Sequence, residues 1–412
     1  MIQLKSETNI KIPLTYIILG TLAFSIAQII LFIHSTNLLI GNFRVPEIWM
    51  GAHVLVLGFA MLVVMGAMYQ LVPVVFLTKI WRESFSYIQM TITIVGVILF
   101  SILIGINPSN AIIGGLLVVI GFTLFIIQML VTIFQSKNIT IMFGYIVTAL
   151  CCLFITILLG LLLSYSFAIG GLSFHEPLFY SHIIVGLIGF FTFLIFGFSL
   201  KLVPMFSLSH DFTFSYAKWA YCLYSIGLLT LIYSVWIDRS ILTIVGFCLL
   251  AAGFTFFTMN IYKIYKKRLK RKLDTSFFFT LIALVNGNIL HIVALICSIS
   301  MVSDRKIWSL LIFLYIYCWI IFSVIGYLYK IVPFLWWTYS YSMKIGKVKV
   351  PTLKEMINER VGKILFVSFF CSICLFVLSY LIGNQFILII SQVILTITTI
   401  VYTLSILHVL QK

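Results

Sequence analysis

Imidazole is the side chain of this sequence that could do chemistry. The chain has seven histidines. Two of them open long apolar runs: His53 in "GAHVLVLGF" and His182 in "YSHIIVGLIGF". His34 closes the first run, His175 precedes the sixth, and His291 lies fifteen residues into the ninth. Neutral imidazole is a strong ligand for haem iron and for copper. Ionisable groups within a membrane are costly, so each is a functional candidate by default. The plainer reading is that each lone histidine sits neutral and hydrogen-bonded near a helix end. Asp and Glu are nearly absent from the apolar runs. That absence argues against a carboxylate proton relay or a Na⁺ site, and so against an ordinary ion-coupled transporter.

The elements that must position these rings follow from composition. The 412 residues are 63% hydrophobic and only 9% charged. A soluble domain carries charge on about a quarter of its residues. The sequence therefore reads as an integral membrane protein. Its runs have the roughly 20-residue length of a bilayer-crossing helix, and backbone groups in lipid must bond within their own segment. The alternation of a barrel strand is missing. The fold class is all-α, with twelve spans near 13–34, 48–71, 87–106, 111–134, 140–168, 178–203, 216–236, 240–262, 276–300, 307–335, 364–383 and 385–409. The first run lacks a small-residue cleavage site and is long enough to span, so it reads as a span and not as a signal peptide. The longest loop, 336–363, leaves no room for a soluble domain, and 1–412 is a single polytopic membrane domain.

The net charge of +16 suits nucleic acid only until its distribution is drawn. Twelve spans put the N-terminus, the even-numbered loops and the C-terminus on one side. That side carries Lys5, Lys79, Arg82, Lys137, Lys218, the run "KIYKKRLKRK" (263–272), Lys344, Lys354, Arg360 and Lys412; the other carries only Arg44, Arg239, Arg305 and Lys306. This is the positive-inside pattern, with both termini cytoplasmic. The expected partner of the basic run is anionic lipid, with no nucleic acid involved. The expected localisation is a bacterial-type plasma membrane. Five histidines (His34, His53, His175, His182 and His291) then gather toward the outer face, His53 roughly 30 Å above Pro73 at 1.5 Å rise per residue. The eight cysteines all fall within spans, where Cys behaves as a small apolar residue. That holds for "CSIC" (371–374) too.

One phrase recurs: "GAMYQLVP" (66–73), "GFSLKLVP" (197–204) and "GYLYKIVP" (326–333). The prolines are 131 and 129 residues apart, counting 73 to 204 and 204 to 333. They fall at the cytoplasmic ends of the second, sixth and tenth spans. The chain reads as three four-helix units, about 1–137, 138–272 and 273–412. Proline should bend or stop each helix there, and the glycine should let a neighbour approach closely. The dipeptide "GF" recurs at 58–59 and 189–190, fifteen residues before its proline in each case. The third unit has no matching histidine; Phe313 stands in that place.

The second span, "AHVLVLGFAMLVVMGAMYQLVP", resembles the second helix of subunit I of the haem–copper oxidase superfamily, closest to its nitric oxide reductase branch. The family also has twelve helices in three four-helix arcs with cytoplasmic termini. The resemblance covers the whole chain as topology, and the second and sixth spans as motif. It implies that His53 is the axial ligand of a b-type haem on the outer side. It implies a copper ligand on the sixth span, with His182 or His175 of "HEPLFY" as the candidate. Partner subunits of a respiratory chain, or an electron donor, would follow. The family's paired histidines on the seventh and tenth helices have no counterpart here, so a complete binuclear centre cannot be built. A sixth haem ligand would come from His182 or His291. The resulting expectation is a membrane haem-binding protein acting in electron transfer or nitric-oxide handling or sensing. A related group of haem- and copper-containing multispan proteins of the nitric-oxide response fits the reduced histidine count. The alternatives are a cofactor-free permease and an assembly partner of respiratory complexes.

Overall fold

A computed structural model describes residues 9–137, 139–271 and 273–412. Lys5 and Lys272 lie outside the described residues. Among the described residues there are helices and no strands, and twelve helices are long and apolar enough to cross a membrane. The chain is thus a multi-pass membrane protein. The helices are α1 Lys11–Ile33, α2 Pro46–Phe76, α3 Phe85–Ile106, α4 Pro108–Phe134, α5 Ile141–Ala168, α6 His175–Ser207, α7 Ser215–Ile237, α8 Ser240–Lys266, α9 Thr275–Ile299, α10 Arg305–Lys344, α11 Glu359–Ile382 and α12 Gln385–Val409.

Three of them are interior. In their most apolar stretches α2, α6 and α10 have 61, 83 and 72% of residues buried inside the protein, against 28–50% for the rest. The others surround them in a closed ring, α1, α3, α4, α5, α7, α8, α9, α11, α12 and back to α1, each packed on the next. Inside the ring, α10 touches both α2 and α6. A ring helix needs one face for lipid and one for protein; an interior helix buries all round. Hence α6 carries almost no polar residue that lacks a partner.

All three interior helices contain a π-helical stretch: Val54–Met61, Ile184–Phe191 and Tyr315–Ile321. The first begins immediately after His53 and the second two residues after His182. Both copies of the "GF" dipeptide, Gly58–Phe59 and Gly189–Phe190, fall inside. π-Turns are rare and concentrate where function needs a re-aimed side chain.

The prolines do less than expected. Pro73 and Pro204 sit inside their helices, which run on to Phe76 and Ser207. Each helix ends on a left-handed leucine, Leu77 (φ 55°) or Leu208 (φ 52°). The proline carbonyl then receives the closing N–H, from Thr78 at 3.3 Å and Ser209 at 3.0 Å. Proline is thus one turn before the stop. Past Pro333, α10 continues to Tyr341 and closes in a 3₁₀ turn at Ser342–Lys344, so the expected 336–363 loop is half as long. The phrase glycines do allow close approach. A Cβ on Gly66 would lie 2.8 Å from the Pro13 carbonyl oxygen of α1, and one on Gly197 would lie 2.9 Å from Ile146 Cγ1 of α5.

Candidate functional site

His53 and His182 come from different interior helices and lie close enough for their charges to interact. His53 Nδ1 donates to the Trp49 carbonyl, one turn back on α2, at 2.7 Å. Its ring stands edge-on to Phe100 of α3 at 5.1 Å. His182 Nδ1 donates to the Thr156 carbonyl of α5 at 3.1 Å. Gly160 makes room for that ring: a Cβ there would meet His182 Cε1 at 3.0 Å.

These bonds decide the tautomer. A carbonyl only accepts, so Nδ1 carries the proton in both rings and Nε2 keeps its lone pair. Among the described residues no hydrogen bond reaches either Nε2. Both rings are set deep in the protein, yet both keep accessible surface. Neither ring is completely enclosed. Metal-binding histidines are usually held this way, with the ring nitrogen away from the metal bonded to a carbonyl.

An ion pair closes the helix ends over the two rings. Arg44, just before α2, grips Glu176, at the start of α6, through two bonds of 2.5 and 3.1 Å, and bonds Tyr180 Oη at 3.1 Å. Its guanidinium lies 4.7 Å from the Phe179 ring centroid. His53 lies seven residues into α2 from Pro46, roughly 10 Å deeper at 1.5 Å per residue.

The other candidates stand elsewhere. His175 is two turns before His182 on α6, and its Nδ1 meets Ser166 Oγ at 2.9 Å, so it is held apart from His182. His291 of α9 is saturated. Its Nδ1 donates to the Gly287 carbonyl at 2.8 Å and its Nε2 accepts from Tyr224 Oη at 3.0 Å. Its ring neighbours are Phe254 and Tyr315. Asn288, one turn or less from His291, bonds across helices, accepting from Thr255 of α8 at 3.0 Å. Among the described residues no three His, Cys, Asp or Glu side chains come together as a metal cluster, and the eight cysteines are all free.

His291 belongs to a buried polar chain that crosses α9, α7, α10 and α6. Tyr315 Oη meets Thr192 Oγ1 at 2.6 Å, Trp319 Nε1 donates to the same oxygen at 3.1 Å, and Thr192 donates to the Leu187 carbonyl at 3.2 Å. With one proton per hydroxyl, Tyr224 donates to His291 and Tyr315 to Thr192. No proton is left for the Tyr224–Tyr315 contact, which is accordingly long at 3.4 Å. On the opposite side of α10, Tyr317 donates to Gln28 of α1 at 2.9 Å, and Gln28 to Gln392 of α12 at 2.8 Å. Tyr315, Tyr317 and Trp319 all belong to the π stretch of α10. Sequence reading missed these hydroxyls, and only the recurring "GF" hinted at the π segments.

The geometry is therefore one open imidazole pair, one saturated histidine and a dense network of buried hydroxyls. No protein-family model matches the chain, and no curated protein matches it.

Proposed function

We propose that the chain is a membrane haem-binding protein, similar in scaffold to subunit I of the haem–copper oxidase superfamily, that acts in electron transfer or nitric-oxide handling or sensing. One observation supports this reading: His53 and His182 each hold Nδ1 protonated against a carbonyl, with no hydrogen bond to Nε2 among the described residues. The donor set fits a b-type haem, since the two neutral imidazoles of His53 and His182 would hold its iron and add no charge. When bound, haem supplies one-electron chemistry and an affinity for small diatomic ligands. The protein's part is to fix both tautomers through Trp49 and Thr156, to leave ring space at Gly160, and to close the helix ends with Arg44 and Glu176. Copper would draw on His182 in the same way; His175 is two turns off and engaged with Ser166.

The three-unit architecture belongs to the same proposal. Its support is the recurrence of the Gly-to-Pro phrase, of a π stretch in α2, α6 and α10, and of the α4–α5, α8–α9 and α12–α1 seams in the ring. The proline ends of the interior helices are on the lysine-rich side, which the positive-inside rule makes cytoplasmic. The histidine pair is then near the outer face of a plasma membrane.

The experiment is purification after haem-replete growth. A red extract with b-type bands on reduction is expected, with the bands lost in His53→Ala and His182→Ala while the protein level holds. Colourless wild-type protein would sink the reading and favour a cofactor-free permease or an assembly partner.

A further inference from the structure

At the proline end, α10, α11 and α12 do not close on one another. They leave a cavity of about 660 Å³, within the range of roughly 300–1,000 Å³ typical of ligand sites. Its apolar lining is Val361 of α11 and Val401, Leu404 and Leu407 of α12, of which Val401 and Leu404 are exposed at the surface. Tyr329 and Asn358 add polarity and rigidity. Tyr329 Oη donates to the Asn358 carbonyl at 3.0 Å, and the Asn358 side chain caps α11, accepting from Arg360 N at 3.0 Å and Val361 N at 3.2 Å.

The mouth is different. An adjoining cavity of about 530 Å³ shares Ile357, Asn358 and Lys412 with the first. It adds Lys354, Arg360, Glu355 and Glu359. The Glu355 carboxylate accepts from Thr352 N at 2.6 Å and Thr352 Oγ1 at 3.1 Å and keeps its charge. Among the described residues, no carboxylate forms an ion pair with Lys354, Arg360 or Lys412. Lys412 Nζ donates to the Glu355 backbone carbonyl at 2.5 Å. The mouth therefore carries three cations, Lys354, Arg360 and Lys412, against two carboxylates, Glu355 and Glu359, an excess of one positive charge.

We propose that this cleft binds an anionic membrane phospholipid, with the phosphate at Lys354, Arg360 and Lys412 and an acyl chain along Val361, Val401 and Leu404. Three features select that occupant. The cleft lies at the ends of α11 and α12, where a spanning helix meets the headgroups. Its mouth is cationic, and basic pockets at this level hold lipid head groups. The larger cavity is lined mainly by apolar groups that open to the surface, so a free anion would leave that lining unused. A zwitterionic lipid would cover the same lining but leave the excess positive charge of the mouth without a partner. The inference is independent of haem.

The test is native mass spectrometry of the full chain in detergent, titrated with phosphatidylglycerol, phosphatidylcholine or inorganic phosphate. Tightly held phosphatidylglycerol is expected, with phosphatidylcholine and phosphate at least tenfold weaker. Lys354→Gln with Arg360→Gln should remove one bound lipid and weaken the rest little. Leu404→Asn, which makes the apolar lining polar and leaves every charge in place, should remove the same lipid. Lys266→Gln with Lys267→Gln, in the basic run outside the cleft, should not. Equal binding of the two lipids would overturn the proposal. So would binding of phosphate alone as tightly as lipid, retention of every lipid in both cleft variants, or equal loss in the basic-run control.

Discussion

His53 and His182 sit within charge-interaction distance, each with its Nδ1 proton committed to a carbonyl and its Nε2 open. His291 has the same Nδ1 arrangement but gives its Nε2 to Tyr224. The difference separates a ring that can take a ligand from one that is already satisfied. It also separates the three histidines that the sequence offered as one set.

The first prediction follows from that contrast. His291→Ala should leave the b-type bands of the proposed haem in place, while His53→Ala and His182→Ala abolish them. His291→Ala should still destabilise the protein, because the buried Tyr224 hydroxyl loses its acceptor. An orphaned buried polar group costs about 1–3 kcal/mol. Reduced-minus-oxidised spectra and thermal melting of the same preparations check both halves. Loss of the bands in His291→Ala with normal melting would assign the ligand there instead.

The second prediction concerns Thr192. Its hydroxyl accepts from Tyr315 and Trp319 and donates to Leu187. Thr192→Val keeps the shape and strands the two donors. A loss of about 2–4 kcal/mol is expected from two unmet buried groups, and Thr192→Ser should restore most of it. If valine and serine variants melt alike, the hydroxyl is not what joins α6 to α10.

How much of this was legible depends on the length of the pattern. The helices and their lipid environment follow from the apolar runs, and ends such as Phe134 and Ala168 were read to the residue. The proline effect was misjudged because proline forfeits only the bond to the carbonyl four residues back, while its own carbonyl still accepts and the helix can run on for a turn. Here Leu77 and Leu208 adopt the left-handed conformation that closes it. Tyr16, Tyr69, Tyr145, Tyr224, Tyr402 and Trp319 are among the most buried side chains, because each hydroxyl or indole N–H finds a partner on another helix. Nothing in the spacing of Tyr224, Tyr315 and His291 announces their contact. Nor does the spacing announce that Lys330 bonds Asp274. Pairings between helices are set by tertiary packing, which local periodicity does not encode.

The third prediction uses Asp274, just before α9. Burial raises its carboxyl pKa, but hydrogen bonds from Lys270, at 2.7 Å, and from Lys330 outweigh this and hold it below its ordinary value. A depressed folded pKa stabilises the protein at pH above the unfolded value, about 4 for Asp. That contribution disappears as pH falls through the lower folded value. Asp274→Asn should therefore lower stability at pH 7 by about 1 kcal/mol, in the range of a partly exposed pair. The gap from wild type should shrink on acidification below pH 4. A gap that is constant across pH would mean that the ion pair contributes nothing.

The last prediction sets two glycines of the repeated phrase against each other. A methyl at Gly66 would press on the Pro13 carbonyl oxygen at 2.8 Å, with Tyr16 Cβ at 2.9 Å. Both atoms belong to or adjoin the α1 backbone, and neither can rotate away. A methyl at Gly197 would meet Ile146 Cγ1 at 2.9 Å and Tyr145 Cβ at 3.1 Å. Ile146 Cγ1 is a side-chain atom that a change of rotamer can shift. Overpacking a tight contact costs about 1–3 kcal/mol, while replacing glycine in a helix interior returns up to about 1 kcal/mol. Gly66→Ala should therefore destabilise by about 2 kcal/mol, and Gly197→Ala should be close to neutral. Thermal unfolding of both variants in one detergent decides it. An equal loss at the two sites would mean that α1 yields to its neighbour as easily as the Ile146 side chain does, and the rigid α1–α2 contact would have to be given up.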